Sequence, residues 1–313
     1  MLAAKFSDLI TPQLGHQLHQ RKLLNLGFMV MGLVAIMVAL FTLAALIIHM
    51  AMSGWPRLST WEFFTAFASR RPERAGILAA WVGSLLVISV TAIVAVPIGV
   101  AAGIYLEEYA RKNWLSELIE INVTNLAGVP SIIYGLLALG VFVYEFKFGR
   151  SVLTAGCTLA LLILPIVIVT TRESLRSIPQ MIREAAYAVG ATQWQVIWHH
   201  VLPYSIGGIL TGTIIGLSRA IGETSSLITI GALTFIAFLP ESPFQGKPPF
   251  VSWEWLNSPF TVMPIQMFNW VSRPNPEFQV NAAAAGTVLM TMTLLMNGLA
   301  IYLRYRLRQG IKW

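Results

Sequence analysis

The sequence predicts an all-α integral membrane protein with six transmembrane helices. Three observations carry that prediction. Of the 313 residues, 56% are hydrophobic and only 11% charged; apolar runs recur along the chain; and basic residues collect in alternate loops. The mean hydropathy of +0.69 exceeds what a water-soluble globule of this length accommodates.

The spans are expected at residues 23–49, 77–106, 126–144, 152–171, 205–238 and 281–303. Crossing a hydrocarbon core of ~30 Å takes roughly 20 apolar residues, and each run is of that order or longer. The second and fifth are over-long and are expected to include turns outside the membrane. The first is too long for a cleavable signal peptide, and no small-residue cleavage pattern closes it. The single cysteine, Cys157, falls inside a span. It is expected to be buried, and it excludes a disulfide framework or a cysteine metal site.

Orientation follows from Lys and Arg. Arg21 and Lys22 flank the first span, and Arg304, Arg306 and Arg308 follow the last. Both termini are therefore expected in the cytoplasm, which requires an even number of crossings. Arg70, Arg71 and Arg74 form an outer cluster that runs against this trend. The net charge of +7 reads as membrane topology, because no soluble basic face suggests nucleic-acid binding. The chain divides into an N-terminal tail, first helix and external loop at 1–76, a transmembrane domain at 77–308 and a tail at 309–313.

Between the fourth and fifth spans lies an amphipathic stretch that predicts helix, sharp turn, helix. Ser177 precedes Gln180, with Pro179 in the first turn, and Thr192 precedes Gln195. Each pair has the spacing of a capping box. Gly190 sits between them, where a helix end needs a residue tolerant of positive φ. Such an elbow, projecting on one side of the membrane, can dock on a soluble partner.

The fifth span carries Gly208, Gly212 and Gly216 every fourth residue, continued by Ala220 and Thr224. Small residues at that interval let a neighbouring helix approach closely. Beside the stripe stand Arg219 and Glu223, one helical turn apart, with Ser218, Thr224, Ser225 and Ser226 around them. Charges inside a bilayer are costly and mark pathways or internal ion pairs. An internal salt bridge would neutralise both, but Arg before Glu is the poorer order for a helical pair. An Arg fork ringed by hydroxyls suits an oxyanion. Glu223 is expected to hold the Arg in place.

The third span opens Gly128-Val129-Pro130-Ser131. Pro130 fits a first helical turn, whose free amides could meet an anion; an ordinary helix start or kink explains it equally. The outer segment 239–280 is dense in proline and aromatics, including Trp253, Trp255 and Trp270. It is expected to form an interfacial or re-entrant cap.

Glu184, Ala185, Ala186, Gly190, Leu202 and Pro203 reproduce the spacing of the EAA signature of binding-protein-dependent ABC importer permeases, with His200 where that pattern has Ile. The chain resembles that family, and within it the phosphate-specific permeases of the PstA type. The narrower resemblance rests on 126–135, on 191–203 with Thr192 and Trp194, on 217–224 and on 258–272. Ser225-Ser226 departs from the usual Ala-Pro. The resemblance implies that the elbow is a cytoplasmic coupling helix seated on an ATPase. It implies a second permease (PstC type), two ATPase subunits (PstB type) and an external phosphate-binding protein (PstS type). ATP and Mg would bind on the partner subunits, with no cofactor on this chain.

No Gly-Lys-Ser/Thr phosphate loop is present. His199 and His200 are adjacent and cannot share a helical face, while His16 and His19 lack a third ligand. The expected function is passage of inorganic phosphate by alternating access, without an active site. The alternatives are a permease for molybdate, sulfate or another anion, a PstC-type partner, an ion-coupled secondary transporter, or a non-transporting assembly protein. A secondary transporter would need more intramembrane carboxylates than Glu223 supplies.

Overall fold

The computed structural model describes residues 2–308, except 112 and 244–251; side chains are described from residue 21 to 306. The side chains of His16 and His19, and the tail 309–313, therefore lie outside what is described. The first helix, α1, runs Leu2–Leu58. Its portion up to Met52 forms a unit of its own, with apolar side chains exposed from Leu23 onward as suits lipid contact.

From Ser53 a single helical body follows. Its main elements are α2 (Leu78–Ile104, continued by a widened turn Tyr105–Tyr109), α3 (Trp114–Leu126) and α4 (Ser131–Ala138, continued to Glu145). Then come α5 (Val152–Arg176), α6 (Gln180–Ala188) and α7 (Gln193–Ile221). The short α8 (Ser225–Thr229), α9 (Met263–Val271) and α10 (Glu277–Arg308) complete it. The only pairing of extended backbone among the described residues is an isolated bridge between Ser151 and Pro259.

Among the described residues five helices are long and apolar enough to cross a membrane. The third expected span is a bent pair instead: α3 and α4 meet at 105°. Pro130, with no amide hydrogen to donate, stands at the bend as the residue before α4. The Tyr134 hydroxyl crosses the bend to donate to the Leu126 carbonyl at 2.8 Å.

The core forms where α2, α5 and α7 approach. Val87, Leu159, Ile163, Ala220 and Leu227 are buried together there. Small residues set the distance. A Cβ on Gly156 would stand 2.4 Å from Val90 Cγ1, and one on Gly103 would stand 2.7 Å from Thr171 Cβ. Pro97 and Pro165 lie inside α2 and α5, as transmembrane helices tolerate when neighbours cover the gap.

Within the segment 239–280 the described tryptophans differ in burial. Trp253 is exposed, but Trp255 is buried and Trp270 fully so, its ring 6.1 Å from that of Phe63. Ser84 Oγ accepts from the Met263 amide at 2.9 Å and so satisfies one free donor at the start of α9. The outer Arg cluster lies in the same region. Arg273 donates to the Ser69 carbonyl, and burial first, then the Arg70 charge, hold it below the usual arginine range. Cys157 is half-buried rather than buried.

Candidate functional site

Two places combine unusual chemistry with unusual geometry: the elbow α6–α7 and the break after Ile221.

At the elbow, Gly190 has φ +84°, which only glycine adopts without strain. It lets the chain reverse between α6 and α7. Thr192 forms the expected capping box: its backbone amide donates to Gln195 Oε1 at 2.8 Å while its Oγ1 accepts from the Gln195 amide. The Ser177–Gln180 box does not form. Ser177 is still in helical conformation at the end of α5, where its hydroxyl donates to the Ser174 carbonyl. Pro179, with φ −56° and ψ 137° and no N–H to donate, is the residue that opens α6.

Ala186 is buried with Leu175, Ile178, Val196 and Val201, so the elbow has its own small core. Its other face is open. Glu184 and Ala185 are exposed, as are Met181, Val189, Trp194 and Trp198, and the last two rings stack at 5.4 Å. Leu202 and Pro203 continue α7 after a widened turn at Ile197–Val201, which accommodates the proline's missing donor. His199 and His200 are exposed in that turn.

The glycine stripe faces α5. A Cβ on Gly208 would stand 2.2 Å from Ser174 Oγ, and one on Gly212 would stand 1.9 Å from Thr170 Oγ1. At Gly216 the nearest atom is Ile163 Cβ at 3.4 Å.

At the other end of α7 the structure corrects the sequence reading. The helix stops at Ile221, with Gly222 as its cap, so Arg219 and Glu223 do not share a helical face and form no ion pair. The Glu223 carboxylate instead accepts from the Ser225 amide at 2.9 Å and the Ser225 hydroxyl at 2.7 Å, and so starts α8. Ser225 Oγ also lies 2.7 Å from Ser131 Oγ. The starts of α4 and α8 are thus stitched together through Ser131, Ser225 and Glu223. Thr224 is half-buried beside them. A Cβ on Gly135 would meet the Ser226 carbonyl oxygen at 2.7 Å, so α4 and α8 lie backbone to backbone.

Ser218 is not part of this group. It turns to α10, where its hydroxyl meets Asn297 Oδ1. Arg219 is exposed, with no hydrogen bond or ion pair among the described residues.

A third feature was not singled out in the sequence. Arg172, Arg176 and Arg183 form ion pairs with Glu107, Glu108 and Glu120 at the base of the elbow. The linked residues are up to 75 positions apart, so no local spacing announces them. Among the described residues no group of three or more His, Cys, Asp or Glu could hold a metal.

Residues 95–309 match the family described as binding-protein-dependent transport system inner membrane component. The chain is 31% identical over 279 residues to the phosphate transport system permease protein PstA of Pasteurella multocida (strain Pm70), covering 89% of this chain and 94% of that protein. It is 33% identical over 231 residues to the phosphate transport system permease protein PstC of the same organism, covering 65% and 71%. Among solved structures, the MetNI methionine ABC transporter in inward-facing conformations has a TM-score of 0.56. That match covers 72% of this chain and 94% of that chain at 15% identity, a likeness of fold.

Proposed function

The chain belongs to the family of binding-protein-dependent transport system inner membrane components, and on that footing we propose that it is the permease subunit of an ATP-driven importer of inorganic phosphate. The observation that carries the substrate is the match to a phosphate permease of the PstA type along nearly its whole length. The partners proposed are a second permease of the PstC type, two ATPase subunits and an external phosphate-binding protein. Both termini are placed in the cytoplasm, with the elbow on that side. ATP and Mg are assigned to the ATPase subunits, and this chain is assigned no catalytic step.

The geometry suggests how force would travel. Met181, Val189, Trp194 and Trp198 offer an apolar face for the ATPase. From Gln193 the helix runs unbroken for 29 residues, about 43 Å at 1.5 Å per residue. Arg219 rides near its far end, so displacement of the elbow displaces that charge. Arg219 gives the anion a charge-assisted foothold, and Ser131 and Ser225 add hydroxyls. The Glu223 carboxylate, already engaged by Ser225, keeps the foothold weak enough for release.

The test is uptake of radiolabelled phosphate into proteoliposomes holding this chain with its partner subunits. Uptake that requires ATP and the ATPase, and that excess molybdate or sulfate leaves intact, supports the reading. Uptake without the ATPase would sink it in favour of a secondary transporter.

A further inference from the structure

The apolar footing of the elbow is supplemented by charge. Glu107 and Glu108 sit in the widened turn that ends α2. Glu107 receives Arg176 through two parallel bonds of 3.1 Å, with Arg172 at 3.5 Å. Glu108 receives Arg183 of α6 at 2.7 Å, and its backbone carbonyl receives the side-chain amide of Gln193 at the start of α7. Arg183 also donates to the carbonyls of Leu175 and Ile178, at 2.9 and 2.7 Å, at the end of α5. Arg172 reaches on to Glu120 of α3 at 2.8 Å.

These bonds differ in weight. Arg176 is 61% exposed, and solvent and salt screen its pair. Arg183 and Glu108 are 14% and 9% exposed, and removing one leaves the other buried without its counter-charge. Beside them runs a groove of ≈ 1140 Å³ lined by Arg111, Glu117, Gln180, Glu184 and Tyr187. On its rim the elbow is tied to α2 by charged side chains as well as by packing.

We propose that Glu108, through Arg183 and Gln193, is a positioning residue for transport: it latches both arms of the elbow to the end of α2. A push on the elbow then moves α2 with α5 and α7 as one body, instead of bending the elbow alone. This rests on the coupling reading above, but the latch is measurable without transport.

The experiment uses the assembled complex carrying Glu108→Gln, which keeps the side chain's shape and the carbonyl bond to Gln193. Hydrogen exchange of the amides at 180–188 is expected to rise by about ten-fold, because a buried ion pair has lost one partner. In proteoliposomes, the ATP hydrolysed per phosphate delivered should rise while subunit stoichiometry stays constant. The exposed partner variant Arg176→Gln should move both readings less. Unchanged exchange overturns the latch. So does a fall of uptake and hydrolysis by one common factor, which would mean only less folded complex. Should Glu108→Gln not assemble, Glu108→Asp, which keeps the charge but shortens the reach to Arg183, is read by the same criteria. Faster exchange in a complex that carries no phosphate would leave the latch standing and refute the phosphate reading.

Discussion

The glycine stripe of α7 makes a prediction sharp enough to fail. Gly212→Ala would place a Cβ 1.9 Å from Thr170 Oγ1 and 2.3 Å from Thr170 Cβ. Thr170 is β-branched, and its hydroxyl donates to the Ile166 carbonyl at 2.8 Å, so rotating it away gives up a bond and still leaves the Cβ clash. The α5 and α7 backbones must part. Overpacking of this kind costs about 1–3 kcal/mol. Gly216→Ala is chemically the same change, but it meets Ile163 Cβ at 3.4 Å, a contact that a few tenths of an ångström relieve. Both substitutions gain the same helix propensity, about 1 kcal/mol, so the propensity cancels in the comparison. The two variants should therefore differ by about 1–3 kcal/mol, or about 2–12 °C in midpoint for a chain of this size. Thermal unfolding in detergent, followed by tryptophan fluorescence, measures it. Gly208→Ala should fall between them, since the Ser174 hydroxyl can move at the cost of one bond. A Gly216→Ala variant at least as damaged as Gly212→Ala would refute the proposed packing register.

Arg219→Ala should lower phosphate uptake by about ten-fold or more in an intact complex, the weight of a lost charge-assisted bond; normal uptake would remove it from the pathway. Glu223→Gln should cost about 1 kcal/mol through the start of α8, and its effect on stability should add to that of Arg219→Ala within about 0.5 kcal/mol. A large coupling between the two would restore the salt bridge that the helix break excludes. Gly190→Ala places its Cβ in open space, so only the positive φ is penalised, by about 1–2 kcal/mol. Gly190→Asn should lose less, and equal losses in thermal stability would point to a cause other than φ.

What the sequence made legible was what is local. Apolar runs announce α2, α5 and α10 because a bilayer imposes a length on each. Gly190 and the Thr192–Gln195 box announce the elbow because caps act over three or four residues. The errors share a cause: a periodic pattern was extended through a residue that stops it. The i, i+4 relation of Arg219 and Glu223 presumes a helix that Gly222 ends, and Thr224-Ser225 immediately after it is a further start signal. The span at 126–144 was begun ahead of Pro130, although α4 starts only after it. Ser177 has the spacing of a box, but Pro179 between it and Gln180 fixes the extended residue elsewhere. The ion pairs of Glu107 and Glu108 could not be read at all, because partners 65 to 75 residues away are set by how α2 and α5 pack.

The two interruptions belong together, and this bears on how the membrane tolerates Arg219. A helix broken within lipid leaves backbone donors and acceptors unpaired, which is acceptable only against protein or water. Here the break at Gly222 and the bend before Ser131 supply each other's cover, through the Ser131–Ser225–Glu223 chain and the close approach of Gly135 to Ser226. The segment beyond the break is thereby hydrogen-bonded to α4, while its Leu227 shares a buried core with Ala220 and Ile221 of α7. Arg219, one turn before the break, lies on the helix that carries the elbow. An Arg–Glu bridge would have neutralised its charge. Leaving Glu223 to its own helix start leaves the Arg219 charge unpaired among the described residues, which the anion foothold proposed above requires.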